Sequence, residues 1–145
     1  MERFLLAAAV VVLAAVIAVV VERRRPEAPT AGNWAVPAQL DRDDFARPDA
    51  PWLVAVFTSA TCDSCAQAVE RAKVLASDAV AVDEAEVAAR PDLHKRYHID
   101  AVPITVVADH EGVVRSSFTG PASATDLWAA VAAARDGDPG DRGES

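Results

Sequence analysis

Cys62 and Cys65 are the only two thiols among the 145 residues, and they stand three positions apart in FTSATCDSCAQAVERA. Such a pair suits redox exchange, metal ligation, or nothing beyond packing. A disulfide closing so short a loop removes little chain entropy and is a poor staple. That tilts the pair toward chemistry. The apolar run WLVAVFT ends just before the pair and a helical pattern follows it. Cys62 is therefore expected just past a buried strand, at the first turn of a helix. There the unpaired N–H groups and the positive end of the helix dipole favour thiolate, the attacking species. Cys65 is expected one turn deeper, on the same face. Cys62 would attack a substrate disulfide, and Cys65 would resolve the mixed disulfide.

The other chemistry-bearing residues offer less. His94 and His98 are spaced i, i+4 on an expected helix and share a face, so with the cysteines they form a nominal Cys₂His₂ set. His94 lies 29 positions after Cys65, far from zinc-finger spacing. The simpler reading is two partly exposed histidines and no metal site, with His110 a polar turn residue. Asp41, Asp43, Asp44, Asp83, Glu84 and Glu86 read as solvated loop charges. Trp34, Trp52 and Trp128 read as core or rim packing. No catalytic carboxylate pair, Gly-rich phosphate loop or Ser/His/Asp set stands out. The net charge of −8 argues against a nucleic-acid partner.

The elements that position the cysteines follow from periodicity. Trp52–Thr58 is continuous, β-favouring and apolar, as a fully buried central strand should be. A helix is expected from Ala66, with Ala66, Val69, Ala72 and Ala76 on its apolar face. Further strands are expected at Ala79–Asp83 and Ile104–Ala108, and a helix across EVAARPDLHKRYHI with Pro91 in its first main turn. DHEG is a tight turn with Gly112 available for positive φ, and VVRSSFT is its antiparallel partner. Ser123 caps the last helix. Asp41–Phe45 suits a single acid-capped helical turn, and a short strand or turn is expected around Trp34–Val36. The order is a βαβ unit, then a hairpin and a helix, giving an α/β sheet covered on both faces.

The amino-terminal stretch stands apart. Phe4–Val21 is 18 apolar residues without charge, Gly or Pro. As a helix it spans about 27 Å, near the roughly 30 Å hydrocarbon core. A signal peptide would want a shorter core and a small-residue exit, and a core helix would have a polar face. A retained transmembrane anchor in membrane lipid is the expectation. Arg23, Arg24 and Arg25 after the span outnumber Arg3 before it, which leans the following domain to the cytoplasmic side of the cell membrane. Residues 22–37 then form a linker, 38–135 the folded domain, and 136–145 a disordered polar tail.

Cys-x-x-Cys between a strand and a helix, followed by Val102–Pro103 before a later strand, is similar to the thioredoxin family. Pro103 lies 38 residues after Cys65, and FTGPAS resembles the family's glycine turn at Gly120. The resemblance covers roughly Leu40–Arg135. It implies a thioredoxin-like fold with a central mixed sheet flanked by helices. It also implies a cis Val102–Pro103 peptide beside the cysteines, with the Val102 backbone binding an extended substrate by strand-like pairing. The implied activity is thiol–disulfide exchange in protein substrates. An upstream thiol would donate electrons, and no cofactor is needed beyond the Cys62–Cys65 disulfide. A non-enzymatic metal- or partner-binding module using the same cysteines is the alternative, and inert inherited thiols a third.

The sequence departs from thioredoxin proper around the pair. Thr61 precedes Cys62, Asp63 and Ser64 lie between the cysteines, and Val56 occupies the position of the family's buried acid. Asp63 and Ser64 are thus the candidate tuning residues. The negative charge of Asp63 opposes ionisation of Cys62, which favours a reducing or weakly active pair.

Overall fold

The computed structural model describes residue 1, residues 10–17 and residues 35–137. Packing divides the chain into two units, Met1–Thr30 and Ala31–Ser145. Of the expected anchor, residues 10–17 are helical and exposed. Among the described residues no helix is long and apolar enough to cross a membrane. The rest of the expected span, Trp34, most of the linker and most of the tail lie outside the described residues.

In the second unit, a 3₁₀ turn at Arg42–Asp44 precedes β1 (Trp52–Thr58), α1 (Cys65–Lys73), β2 (Val80–Glu86), α2 (Pro91–Arg96), β3 (Ile104–Ala108), β4 (Val114–Thr119) and α3 (Ala124–Gly137). The sheet order is β2-β1-β3-β4. β1 runs parallel to β2 and antiparallel to β3, and β3–β4 is an antiparallel hairpin. This is the mixed sheet expected from the sequence. β1 is buried at all seven positions, because strands flank it on both sides and helices cover both faces.

Side-chain alternation along the strands sorts the core into two layers. Leu53, Ala55 and Phe57 of β1 join Leu93, Tyr97, Ile104 and Val106 on the α2 face. Trp52, Val54 and Val56 join Ala68, Val69, Ala72, Leu127 and Val131 on the face covered by α1 and α3. Asp41 opens the 3₁₀ turn by accepting the Asp43 N–H, as its acidic cap suggested. Gly112 and Gly120 adopt φ of +82° and +85°. Ser123 Oγ accepts the Asp126 N–H at 3.1 Å and caps α3.

Several expectations need correction. β2 runs three residues further than its apolar run, to Glu86, because parallel pairing with β1 continues to Thr58. That takes Glu86, the first residue of the expected second helix; a turn follows, and the helix starts at Pro91 and stops at Arg96. His98 therefore lies past the helix, at a positive φ of 52°, and shares no helical face with His94. The buried stripe of α1 is Cys65, Ala68, Val69 and Ala72, while Ala66 and Ala76 are exposed. Trp128 is 54% exposed, because Leu127, Ala130, Val131 and Ala134 supply the packing face of α3. Near Trp34–Val36 the described residues form no strand; the chain joins the sheet by one bridge, Gln39 to Val113.

The acidic residues read as solvated loop charges mostly have protein partners. Asp44 binds Arg96 and accepts from the Tyr97 hydroxyl. Asp83 accepts from Arg90 and from the Ala46 N–H. Glu84 accepts from Thr58 at 2.7 Å, and Glu86 accepts from three backbone N–H groups.

Candidate active site

β1 delivers the chain to the site. After Thr58 two successive turns follow, closed by Cys62 N–H to the Ser59 carbonyl at 3.1 Å and Cys65 N–H to the Cys62 carbonyl at 3.3 Å. Cys65 is the first residue of α1, so Cys62 lies in the turn before the helix rather than in its first turn. The two sulfurs are bonded, with the Cα atoms 5.4 Å apart. Their environments differ as exchange chemistry requires. Cys62 is half-buried, whereas Cys65 is 3% exposed beneath it on the packed face of α1.

Ser64 occupies the N-cap position of α1, yet its hydroxyl makes no cap hydrogen bond. It lies 3.7 Å from Cys62 Sγ instead. Asp63 is exposed. Val56 is 1% exposed among the side chains facing α1, so an apolar group fills the place where the family resemblance put a buried acid.

Sheet register brings the second expected motif to the same end of the molecule. Phe57 pairs with Ile104, so Val102 and Pro103 leave the sheet where β1 runs out toward the cysteines. The Val102–Pro103 peptide is cis. Pro103 is buried, and its carbonyl accepts the Gly120 N–H at 2.8 Å, which ties the loop to the end of β4. Val102 packs its half-buried side chain against the α2-side core. Among the described residues no backbone hydrogen bond involves Val102, so its peptide groups are available to an extended partner.

The histidines are arranged differently from the expected exposed pair. His94 is 6% exposed, its Nε2 sits 2.7 Å from the Ala85 carbonyl, and its ring meets Phe57 edge-on. It is a satisfied core histidine. Among the described residues no group of three or more His, Cys, Asp or Glu converges on a common point. The residue missed by sequence reasoning is Glu86, whose carboxylate holds the turn before Cys62 through Ala60. Its signal was faint: an acid followed by two alanine N–H groups and, at Pro91, a helix start.

No family model and no curated protein matches the sequence. Solved structures do. Thioredoxin from Fasciola hepatica is 20% identical with a TM-score of 0.50, over 57% of this chain and 80% of that one. Oxidized mitochondrial thioredoxin 3 from Saccharomyces cerevisiae is 22% identical with a TM-score of 0.50, over 59% and 81%. The germline-specific thioredoxin Deadhead from Drosophila melanogaster is 24% identical with a TM-score of 0.52, over 59% and 83%. The likeness is one of fold, and the strand register, cysteine turn and cis-proline loop agree with it. The chain is thioredoxin-like in fold, with a bonded Cys62–Cys65 pair at the end of its central strand.

Proposed function

We propose that this protein is a membrane-anchored thiol–disulfide oxidoreductase acting on protein disulfides. The observation that carries the proposal is the asymmetry of the pair. A half-buried Cys62 is bonded to a fully buried Cys65, at the sheet end where the cis Val102–Pro103 loop emerges.

In the reduced form, the Cys62 thiolate attacks one sulfur of a substrate disulfide. A Cys62–substrate bond forms, the substrate bond breaks, and the departing substrate sulfur leaves as thiolate and takes a proton from solvent. The Cys65 thiolate then attacks Cys62 Sγ and expels the second substrate sulfur. Two electrons have passed to the substrate, and the Cys62–Cys65 disulfide remains. A dithiol protein acting as electron donor restores the pair by the reverse exchange. The Val102 backbone pairs with the extended substrate segment, Pro103 shapes the groove, and Asp63 and Ser64 tune the thiol.

Anchoring rests on the 18-residue apolar run Phe4–Val21, and the cytoplasmic placement on the arginines behind it. A topology reporter fused after Ser145 checks the placement: a cytoplasmic signal is expected, and an exterior signal moves the reaction to envelope disulfides.

Insulin reduction in dithiothreitol by the full chain tests the activity. Cys62→Ser should abolish it, and Cys65→Ser should accumulate mixed disulfides with substrate. Both variants matching wild type would leave the pair without an enzymatic role.

A further inference from the structure

Glu86 ends β2 and is register-paired with Thr58, the last residue of β1. From there its carboxylate reaches two loops at once. Oε1 accepts the Ala60 N–H at 3.2 Å. Oε2 accepts the N–H groups of Ala88 and Ala89, each at 2.9 Å. Ala60 is the second residue of the Ser59–Cys62 turn, and both Ala60 and Thr61 are exposed. The turn's other side-chain hydrogen bonds run within it, between Ser59 and Thr61, or on to the next turn, between Cys62 Sγ and Ser64. Among the described residues, Glu86 is thus the one side chain tying this turn to the β2–α2 connection.

We propose that Glu86 is a positioning residue for the redox pair, a latch that holds the Ser59–Cys62 turn where the two sulfurs meet. The inference rests on the redox reading of Cys62 and Cys65. An ionised carboxylate has an acceptor oxygen for each loop. The donors at Ala88 and Ala89, with Ala60, hold the carboxyl below its ordinary range despite some desolvation, so it is ionised at neutral pH. A glutamine has one carbonyl oxygen and turns its NH₂ against one loop's donors. With the latch gone, the reduced pair visits bridging geometry less often. The effective concentration of one thiol at the other falls, and the disulfide becomes easier to reduce.

Equilibration of the full chain with reduced and oxidised glutathione, quenched by alkylation, reads this directly. Glu86→Gln should shift the equilibrium toward dithiol by about tenfold, the equivalent of one net hydrogen bond at the upper end of its usual range. Glu84→Gln, whose carboxylate contacts Thr58 and not the turn, should stay within about twofold. A merely structural Glu86 would lower the urea midpoint and leave the glutathione equilibrium at its wild-type value, which overturns the latch. A wild-type pair that does not exchange with glutathione overturns both the latch and the redox reading. Should Glu86→Gln not fold, amide resonances of the wild type decide. Those of Ala60, Ala88 and Ala89 should move with one shared acid midpoint, and a stationary Ala60 resonance overturns the proposal.

Discussion

Asp63 places a negative charge next to the cysteine proposed as nucleophile, and it is exposed. A unit charge about 6 Å away in a water-like medium is worth about 0.7 kcal/mol, or about threefold in the thiolate population. Asp63→Asn should therefore raise the rate of iodoacetamide alkylation of reduced Cys62 at pH 7 by about threefold, less at high salt. No change would take Asp63 out of the tuning set. A different polar residue carries more of the stability. Arg42 is buried, and its guanidinium donates to the carbonyls of Ala50, Asp109 and Arg47. Burial lowers its pKa, and Asp109 and Asp49 oppose the shift. Arg42→Met would leave these buried acceptors without their donor, at a cost of about 2–4 kcal/mol. The urea midpoint should fall with an unchanged slope; a midpoint equal to wild type would mean that water replaces the guanidinium.

At the scale of turns and helices, two glycines share a conformation and differ in surroundings. A Cβ on Gly112 would sit 2.0 Å from the Leu40 carbonyl oxygen, whereas Gly120 has nothing within 4 Å. Gly120→Ala meets only the left-handed backbone penalty, about 1–2 kcal/mol. Gly112→Ala must also push the Gln39–Leu40 segment off the hairpin, so it should cost about 4 kcal/mol or more. Thermal unfolding of the two variants gives the ranking, and equal losses would contradict the close approach. Both turns were legible in the sequence, DHEG because its glycine suits a short connection that needs positive φ, and FTGPAS through its resemblance to the thioredoxin family's glycine turn. β1 and β3 were legible to the residue, because a central strand buried on both faces is a continuous run of apolar and β-branched residues. The end of β2 was not, since an edge strand needs no apolar run and Asp83, Glu84 and Glu86 look like loop. The buried face of α1 was misread because alanines at positions 66, 68, 72 and 76 fit either helical face. Arg42, His94 and Glu86 were illegible for a different reason. Their partners are backbone groups elsewhere in the chain, in the case of Arg42 and Asp109 67 residues away, and a carbonyl leaves no mark on the sequence.

Across the whole folded unit, these polar ties predict a stability that falls at both ends of the pH scale. Asp109 is 2% exposed, and burial pushes its carboxyl up. Arg115 and the N–H groups of Val113 and Glu111 outweigh burial and hold it below its ordinary value of 3.8. A depressed carboxyl contributes stability that is present above its unfolded pKa and is lost as pH falls through the folded one. The acid limb therefore lies at and below about pH 4, with Glu86 adding to it in the same sense. Tyr97 has the opposite sign. Burial, then its hydrogen bond to Asp44, raises its pKa above the ordinary 10.0. Its contribution is complete below the unfolded pKa and is lost as pH rises from about 10 through the folded value. Urea unfolding of the oxidised protein from pH 3 to pH 11 should trace both limbs (pH range set by the ordinary values, about 4 and 10). Asp109→Asn should flatten the acid limb and leave the alkaline one. Tyr97→Phe should flatten the alkaline limb and lower the neutral plateau by about 1 kcal/mol for the lost hydroxyl bonds. The two effects should add in the double variant. Asp109 sits at the β3–β4 hairpin and Tyr97 just beyond α2, with no hydrogen-bond partner in common. A double variant that deviates from the sum by more than about 0.5 kcal/mol would show instead that the hairpin and the α2 region respond as one electrostatic unit.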